Sequence, residues 1–302
     1  MLPSKTPEVL LSMSACGPLA ARALCSAFAL LLIAPLIAGC AGHAKPTSTA
    51  SETEADEPAE NTPTLAPALE VSGTAWAAQS LTSNHAQSKS ESLEWEIFRA
   101  PGKPPTRYRH VQHQGRDAVL AMADASGSIL RHQFRLEPTS LGRVSFSWHV
   151  PDATSGANVS IARLEDVPVR VVLAFEGDRS RFSMKNALLS ELSQLLTGEP
   201  LPYATLIYAW SRVRLPGEVI ANDQTDRIRK LVVESGDGGY NQWLSYERDV
   251  RADFIKVFGE EPGALTSFAV FTESERNDGP LQAWYGPVVM QPATGSITRQ
   301  NR

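Results

Sequence analysis

The feature that most constrains this chain is a period of two. Across Gly142–Val150, Val144, Phe146, Trp148 and Val150 fall on one side, and Arg143, Ser145, Ser147 and His149 on the other. Successive side chains of an extended strand point to opposite faces, so the pattern describes a strand with one dry face and one wet face. Similar segments run over Leu93–Arg99, Arg107–His113, Asp117–Met122, Ser128–Leu136, Val169–Phe175, Tyr203–Trp210, Arg227–Glu234, Gln242–Arg248, Leu265–Thr272 and Gln282–Met290. Gly, Pro, Asn and Asp punctuate them, as they do in chains of short strands. Many strands in succession, with no helix alternating between them, argue against a Rossmann-type parallel sheet and predict a mainly β, antiparallel sandwich.

Two helices interrupt this pattern. Ser183–Leu196 sets Ala187, Leu188, Leu192, Leu195 and Leu196 at helical spacing, with Gly198 placed to stop it. Arg251–Phe258 is shorter and is ended by Gly259. Both are expected to cover an edge or end of the sandwich.

Ahead of the strands the chain changes character. Lys5 and Arg22 precede an apolar run from Ala23 to Ile37, broken only by Ser26 and Pro35. The run is shorter than the ~20 residues a membrane-spanning helix needs, and reads as a secretory signal. Its end, Ile37-Ala38-Gly39-Cys40, resembles the lipobox of bacterial lipoproteins, in which the cysteine is acylated and becomes the mature amino terminus. The expected organisation is a signal peptide over 1–39, an acidic disordered tether over 40–70, a β-sandwich over 71–292 and a disordered tail over 293–302. The tether is rich in Ala, Thr and Pro, with Glu52, Glu54, Asp56, Glu57 and Glu60 close together. Few apolar residues and a block of like charge cannot offset ordering entropy, and a flexible chain of this length spans roughly 30 Å.

Cysteine and charge exclude several classes. The chain has three cysteines, Cys16, Cys25 and Cys40, so a chain cleaved before Cys40 carries one and has no internal disulfide. Its stability must come from its own apolar core. Loss of Lys5, Arg22 and Glu8 leaves 26 basic and 32 acidic side chains, a net of −6. Nucleic-acid binding rests on phosphate neutralisation, and this balance argues against it.

From Leu93 to Met290 the chain resembles a known bacterial family, domain of unknown function 3047. The resemblance rests on Phe146-Ser147-Trp148-His149-Val150, Val169–Phe175, Tyr208-Ala209-Trp210 and Gln242-Trp243. It continues through Glu247-Arg248-Asp249-Val250, Asp253, Phe258-Gly259-Glu260-Glu261-Pro262 and the acidic stretch Thr272–Asn277. It implies a jelly-roll sandwich of the galactose-binding-like kind, and no particular activity. Two places depart from the family pattern: Phe146 stands where a second tryptophan is usual, and Glu273 and Glu275 where aspartates are usual.

Sites of known chemistry are scarce. No HExxH, zinc quartet or G-x-S-x-G elbow occurs, and the six histidines read as ordinary surface residues, with His110 and His113 on opposite strand faces. Gly236-Asp237-Gly238-Gly239 lies between two strands and is expected to be a hairpin turn rather than a phosphate loop. Thr272–Gly279 offers oxygen ligands at alternate positions. Counted from Glu273, however, Asp278 and Trp284 stand where an EF-hand needs Gly and Glu. No cofactor is expected, and a looser calcium site there is the one alternative kept open. The carboxylates to consider for glycoside hydrolysis are Glu165, Asp166, Glu247, Glu273 and Glu275.

Aromatic residues carry the better signal. Trp148, Trp210, Trp243, Tyr246, Trp284 and Tyr285 fall on several strands, and aromatic faces beside Arg and carboxylates suit sugar rings. The candidate ligand-binding residues are Trp148, Trp210, Trp284, Tyr285, Glu247, Arg248, Glu273, Glu275 and Asn277. The function expected is a non-catalytic envelope domain, held in the bilayer through acylated Cys40, that binds a glycan or an envelope protein. The alternatives are a carboxylate-dependent glycoside-active hydrolase and a protein-binding scaffold. Ala41 lacks the aspartate that resembles an inner-membrane retention signal, which favours the periplasmic face of the outer membrane. Replacing the acceptor, Cys40→Ala, is expected to leave the protein soluble or uncleaved at the inner membrane; unchanged outer-membrane fractionation overturns the lipoprotein reading.

Overall fold

A computed structural model describes residues 71–80, 94–99, 101–152, 166–274, 279–291 and 293. The expected signal peptide, Cys40 and tether lie outside the described residues, as do Glu165, Glu275 and Asn277. The fold is mainly β, a two-sheet sandwich, as the alternation and the resemblance predict. Its strands are β1 (Trp95–Arg99), β2 (Arg107–His113), β3 (Arg116–Ala123), β4 (Gly127–Leu136), β5 (Arg143–His149), β6 (Asp166–Phe175) and β7 (Ala204–Ser211). After them come β8 (Val219–Ala221), β9 (Ile228–Ser235), β10 (Trp243–Asp249), β11 (Leu265–Glu273), β12 (Leu281–Tyr285) and β13 (Val289–Gln291). The larger sheet runs β1-β4-β11-β6-β7-β9-β8, and the smaller runs β10-β5-β12-β3-β2 with β13 also on β5.

Three details differ from expectation. Pairing is antiparallel except between β7 and β9, because the chain leaving β7 passes over to β8 before β9 returns between them. The single strand expected over Gln282–Met290 is broken at Gly286, where a Cβ would come within 2.1 Å of Ser147 Oγ. The turn after β9 is no hairpin, since β9 and β10 belong to different sheets and Gly236 instead accepts a hydrogen bond from Trp210 Nε1 at 2.8 Å.

Both expected helices form, joined by a one-turn helix, α1 (Ala75–Gln79), that buries Trp76. The second, α2 (Met184–Thr197), starts at Ser183, whose side chain accepts from Asn186 N, and ends at left-handed Gly198. Its orientation reverses the expectation. The buried residues are Asn186 and Ser190, while Met184, Leu188 and Leu195 are 90 %, 68 % and 82 % exposed. Hydrogen bonds decide this: Asn186 donates to Asp226 at 2.6 Å and accepts from Thr225 at 2.8 Å, which ties the polar face down. The third, α3 (Val250–Phe258), behaves as expected, burying Val250, Phe254 and Val257, with Phe254 against Phe175 at 4.7 Å. No helix among the described residues is long and apolar enough to cross a membrane.

The sandwich interior is apolar and rich in aromatic rings. Phe146 of the smaller sheet packs on Tyr208 of the larger one at 5.4 Å, which joins the two sheets, and Trp148 packs on Tyr246 of the neighbouring strand at 5.0 Å. Three tyrosines of the smaller sheet send their hydroxyls across to the larger one. Tyr108 donates to Ser128 O at 2.6 Å, Tyr246 to Glu234 Oε2 at 2.7 Å and Tyr285 to Phe271 O at 2.7 Å. The Tyr285 hydroxyl also accepts from Thr272 Oγ1 at 2.7 Å and Arg170 N at 3.2 Å, so it is fully satisfied. Burial pushes its pKa up to about 12. The change Tyr285→Phe strands two buried donors, and is expected to cost about 1–3 kcal/mol in chemical denaturation; an unchanged midpoint would show that the crossing bond carries no weight.

Candidate functional site

The side chains named from the sequence divide into interior and exterior ones. Trp148, Trp210 and Tyr285 are fully buried core residues, and a ligand cannot stack on them in this fold. Arg248 is spent in a structural pair: it donates twice to Asp253, at 2.8 and 2.5 Å, and Asp253 also accepts from Tyr208 Oη at 3.0 Å. Glu247 points out from the smaller sheet and is held by Arg143. Glu273 belongs to β11 of the larger sheet and meets Arg170 at 3.0 Å and Lys103 at 3.4 Å. Burial would raise the Glu273 pKa, but the Arg170 and Lys103 charges outweigh it and hold the carboxyl below its ordinary value. Glu247 and Glu273 therefore lie on the outer sides of different sheets and are not brought together.

Trp284 is the candidate that reaches a shared surface. Because β12 alternates, buried Ala283 and Tyr285 leave Trp284 on the outer face of the smaller sheet. The register then sets Trp284 opposite His149 of β5, and His149 opposite Trp243 of β10. His149 occupies the outward phase of the strand whose inward phase holds Trp148.

The β2–β3 hairpin completes the cluster. His113 and Arg116 pair across a two-residue turn, Gln114-Gly115, with φ of 52° and 76°. Two positive φ values in succession make the turn that matches sheet twist in hairpins. From this turn His113 stacks on Trp284 with ring centres 4.1 Å apart, and meets His149 edge-on at 4.6 Å. Gln114 Nε2 lies 3.2 Å from His149 Nε2 and donates to it, which leaves the other imidazole nitrogen, Nδ1, carrying the proton. The Arg116 guanidinium lies 5.3 Å from the centre of the Trp243 ring.

Two properties set this cluster apart. His113 Nε2 and Trp243 Nε1 are buried and make no hydrogen bond among the described residues, while His149 Nδ1 has only a contact with the Asn241 backbone. Buried polar atoms are nearly always satisfied, so two orphans in one aromatic cluster are a departure from the usual interior. Both imidazoles are also held neutral at neutral pH. Burial pushes His113 below its ordinary 6.5. Burial, followed by the neighbouring His113, does the same to His149, against a raising contact from the Asn241 backbone. Its exposure of 4 % overturns the reading of His149 as an ordinary surface histidine, and His132 is buried as well. The outward phase of His149 was readable in the sequence, but its meeting with residues on β2, β10 and β12 needed the strand order.

The chemistry on offer is aromatic stacking with neutral nitrogen donors and acceptors. No group of three or more His, Cys, Asp or Glu side chains placed to hold a metal ion occurs among the described residues.

Fold and site together define a mainly β, two-sheet domain with an aromatic and histidine-bearing outer face. The chain belongs to the family described as protein of unknown function DUF3047, matched over residues 93–289. No curated protein matches it. Among solved structures, it is similar to the endoglucanase 3 of Trichoderma harzianum from family GH12, at 6 % identity and TM-score 0.34, over 67 % of this chain and 100 % of that one. It is also similar to the native endo-1,4-β-glucanase CelB2, at 10 % identity and TM-score 0.35, over 66 % of this chain and 99 % of that one. A third likeness is to the xyloglucanase domain of NopAA, a type three effector from Sinorhizobium fredii, in complex with cellobiose. There the identity is 12 % and the TM-score 0.34, over 66 % of this chain and 92 % of that one.

The imidazoles give a pH signature. With folded-state values below 6.5, the unfolded chain takes up more protons than the folded one as pH falls, so their stabilising share is intact above about 6.5 and lost below it. Melting temperature should therefore fall between pH 7 and 5.5, less steeply in His149→Gln than in the native chain. Identical slopes would show that His149 is not held neutral by its surroundings.

Proposed function

We propose that this chain is a non-catalytic glycan-binding domain of the cell envelope, held at the membrane through Cys40 and facing the periplasm from the outer membrane. The observation that carries the reading is the outward placement of Trp243 and Trp284 on either side of His149, beside the His113 and Gln114 turn. Sugar rings present apolar C–H faces to aromatic surfaces and hydroxyls to nitrogen groups, and neutral imidazoles accept or donate without demanding a charged ligand. Arg116 adds one cation at the rim.

A second reading, a protein-binding scaffold, has its own observation. Helix α2 presents Met184, Leu188 and Leu195 outward, an apolar surface of the kind that partners cover. The hydrolase reading has less behind it, because Glu247 and Glu273 are on different sheets and both are tied to cations.

A glycan array with thermal-shift titration of the purified full chain separates these readings. Saturable binding and a ligand-dependent rise in melting temperature are expected. Trp284→Ala and Trp243→Ala should each weaken binding roughly tenfold, as lost stacking would. Unchanged affinity in both variants would place the ligand elsewhere. A blank array with capture of an envelope protein that Leu188→Glu abolishes would transfer the function to α2.

A further inference from the structure

The strand register extends the outer face of the smaller sheet beyond the tryptophans. In the row of Trp284, the next strands place Leu120 and Arg109. One step along the same strands and on the same face, Gln282, Met122 and Arg107 stand opposite one another. Two residues along a strand advance about 7 Å, and the first row crosses five strands, or roughly 19 Å. The second row opens into a depression of about 340 Å³, walled by Pro104, Pro105, Asp124 and Pro280 around Arg107 and Gln282.

This depression has the marks of a built surface. Its proline walls have fixed φ, and Pro104 O accepts from Gly127 N at 3.0 Å, which fastens the loop to the start of β4. Preformed walls spare a ligand the ordering cost that a flexible loop would exact. Arg107 and Gln282 are exposed, and neither side chain makes a hydrogen bond or ion pair among the described residues. On the same sheet Arg143 is paired with Glu247 and Arg248 with Asp253. Directional groups thus line the depression while stacking surfaces line the row beside it.

We infer that the ligand is an extended oligosaccharide, with one part against the half-buried Trp243 and Trp284 and the next part seated among Arg107, Met122 and Gln282. This rests on the glycan reading and adds chain length to it. A monosaccharide or disaccharide fills only the tryptophan row; a longer chain gains the second contact set without any new folding of the protein.

The test is isothermal titration of the full chain with ladders of β-linked glucan and chitin oligosaccharides, from disaccharide to hexasaccharide. In the native chain affinity should rise with length beyond the disaccharide. Arg107→Ala and Gln282→Ala, both on exposed positions, should weaken the hexasaccharide about five- to tenfold and leave the disaccharide unchanged. Trp284→Ala should weaken every length. Affinity that stops rising at the disaccharide, or a length dependence that survives both groove variants, overturns the extended ligand while leaving glycan binding intact. No binding to either ladder at any length overturns both.

Discussion

Three phenolic hydroxyls cross the interior of this sandwich, and the geometry of the outer face follows from them. Apolar packing holds two sheets together but says little about how they slide, because burial is non-directional. Hydrogen bonds from Tyr108, Tyr246 and Tyr285 to specific acceptors on the opposite sheet remove that freedom. They do so in a domain whose described residues contain no cysteine. Tyr285 matters most, since its hydroxyl meets three partners and its backbone carbonyl accepts from Trp76 Nε1 at 2.9 Å. The residue before it is Trp284. A strand locked from inside at one position has its outward side chain locked at the next.

The period-two pattern made most of the architecture legible. Segments such as Gly142–Val150 and Leu265–Thr272 needed only their own residues to be read as strands, and Gly198 and Gly259 end their helices where expected. What stayed hidden was set by partners distant in sequence. Alternation says that Trp148 and His149 face opposite ways, but an aromatic residue suits a core as well as a sugar platform, and the interior took Trp148. The leucine spacing of α2 looked like a buried stripe because spacing alone cannot show that Asn186 has two hydrogen-bond partners waiting on the β8–β9 connection. Strand β8 and helix α1 are too short to carry a period.

The same logic explains why the candidate site was only partly visible. Trp284 was named from the sequence as a stacking residue, while His113 was read as an ordinary surface histidine and Gln114 was not singled out. Their role comes from a turn whose backbone curls back over the sheet, and turn geometry is local whereas its landing place is not. The described charged candidates form ion pairs for a related reason. Carboxylates attract cations wherever they lie: Glu247 and Glu273 each meet an arginine of a neighbouring strand, and Arg248 meets Asp253 of the adjoining helix.

Strand β2 is the outermost strand of the smaller sheet, and its final residue, His113, is also the roof of the aromatic cluster. Edge strands open more readily than central ones, since one side of their backbone has no ladder to break. Fraying of the sheet margin would therefore carry His113 away from Trp284 and His149, so the packing over the two tryptophans is only as firm as the two-residue turn Gln114-Gly115 that ends the edge strand.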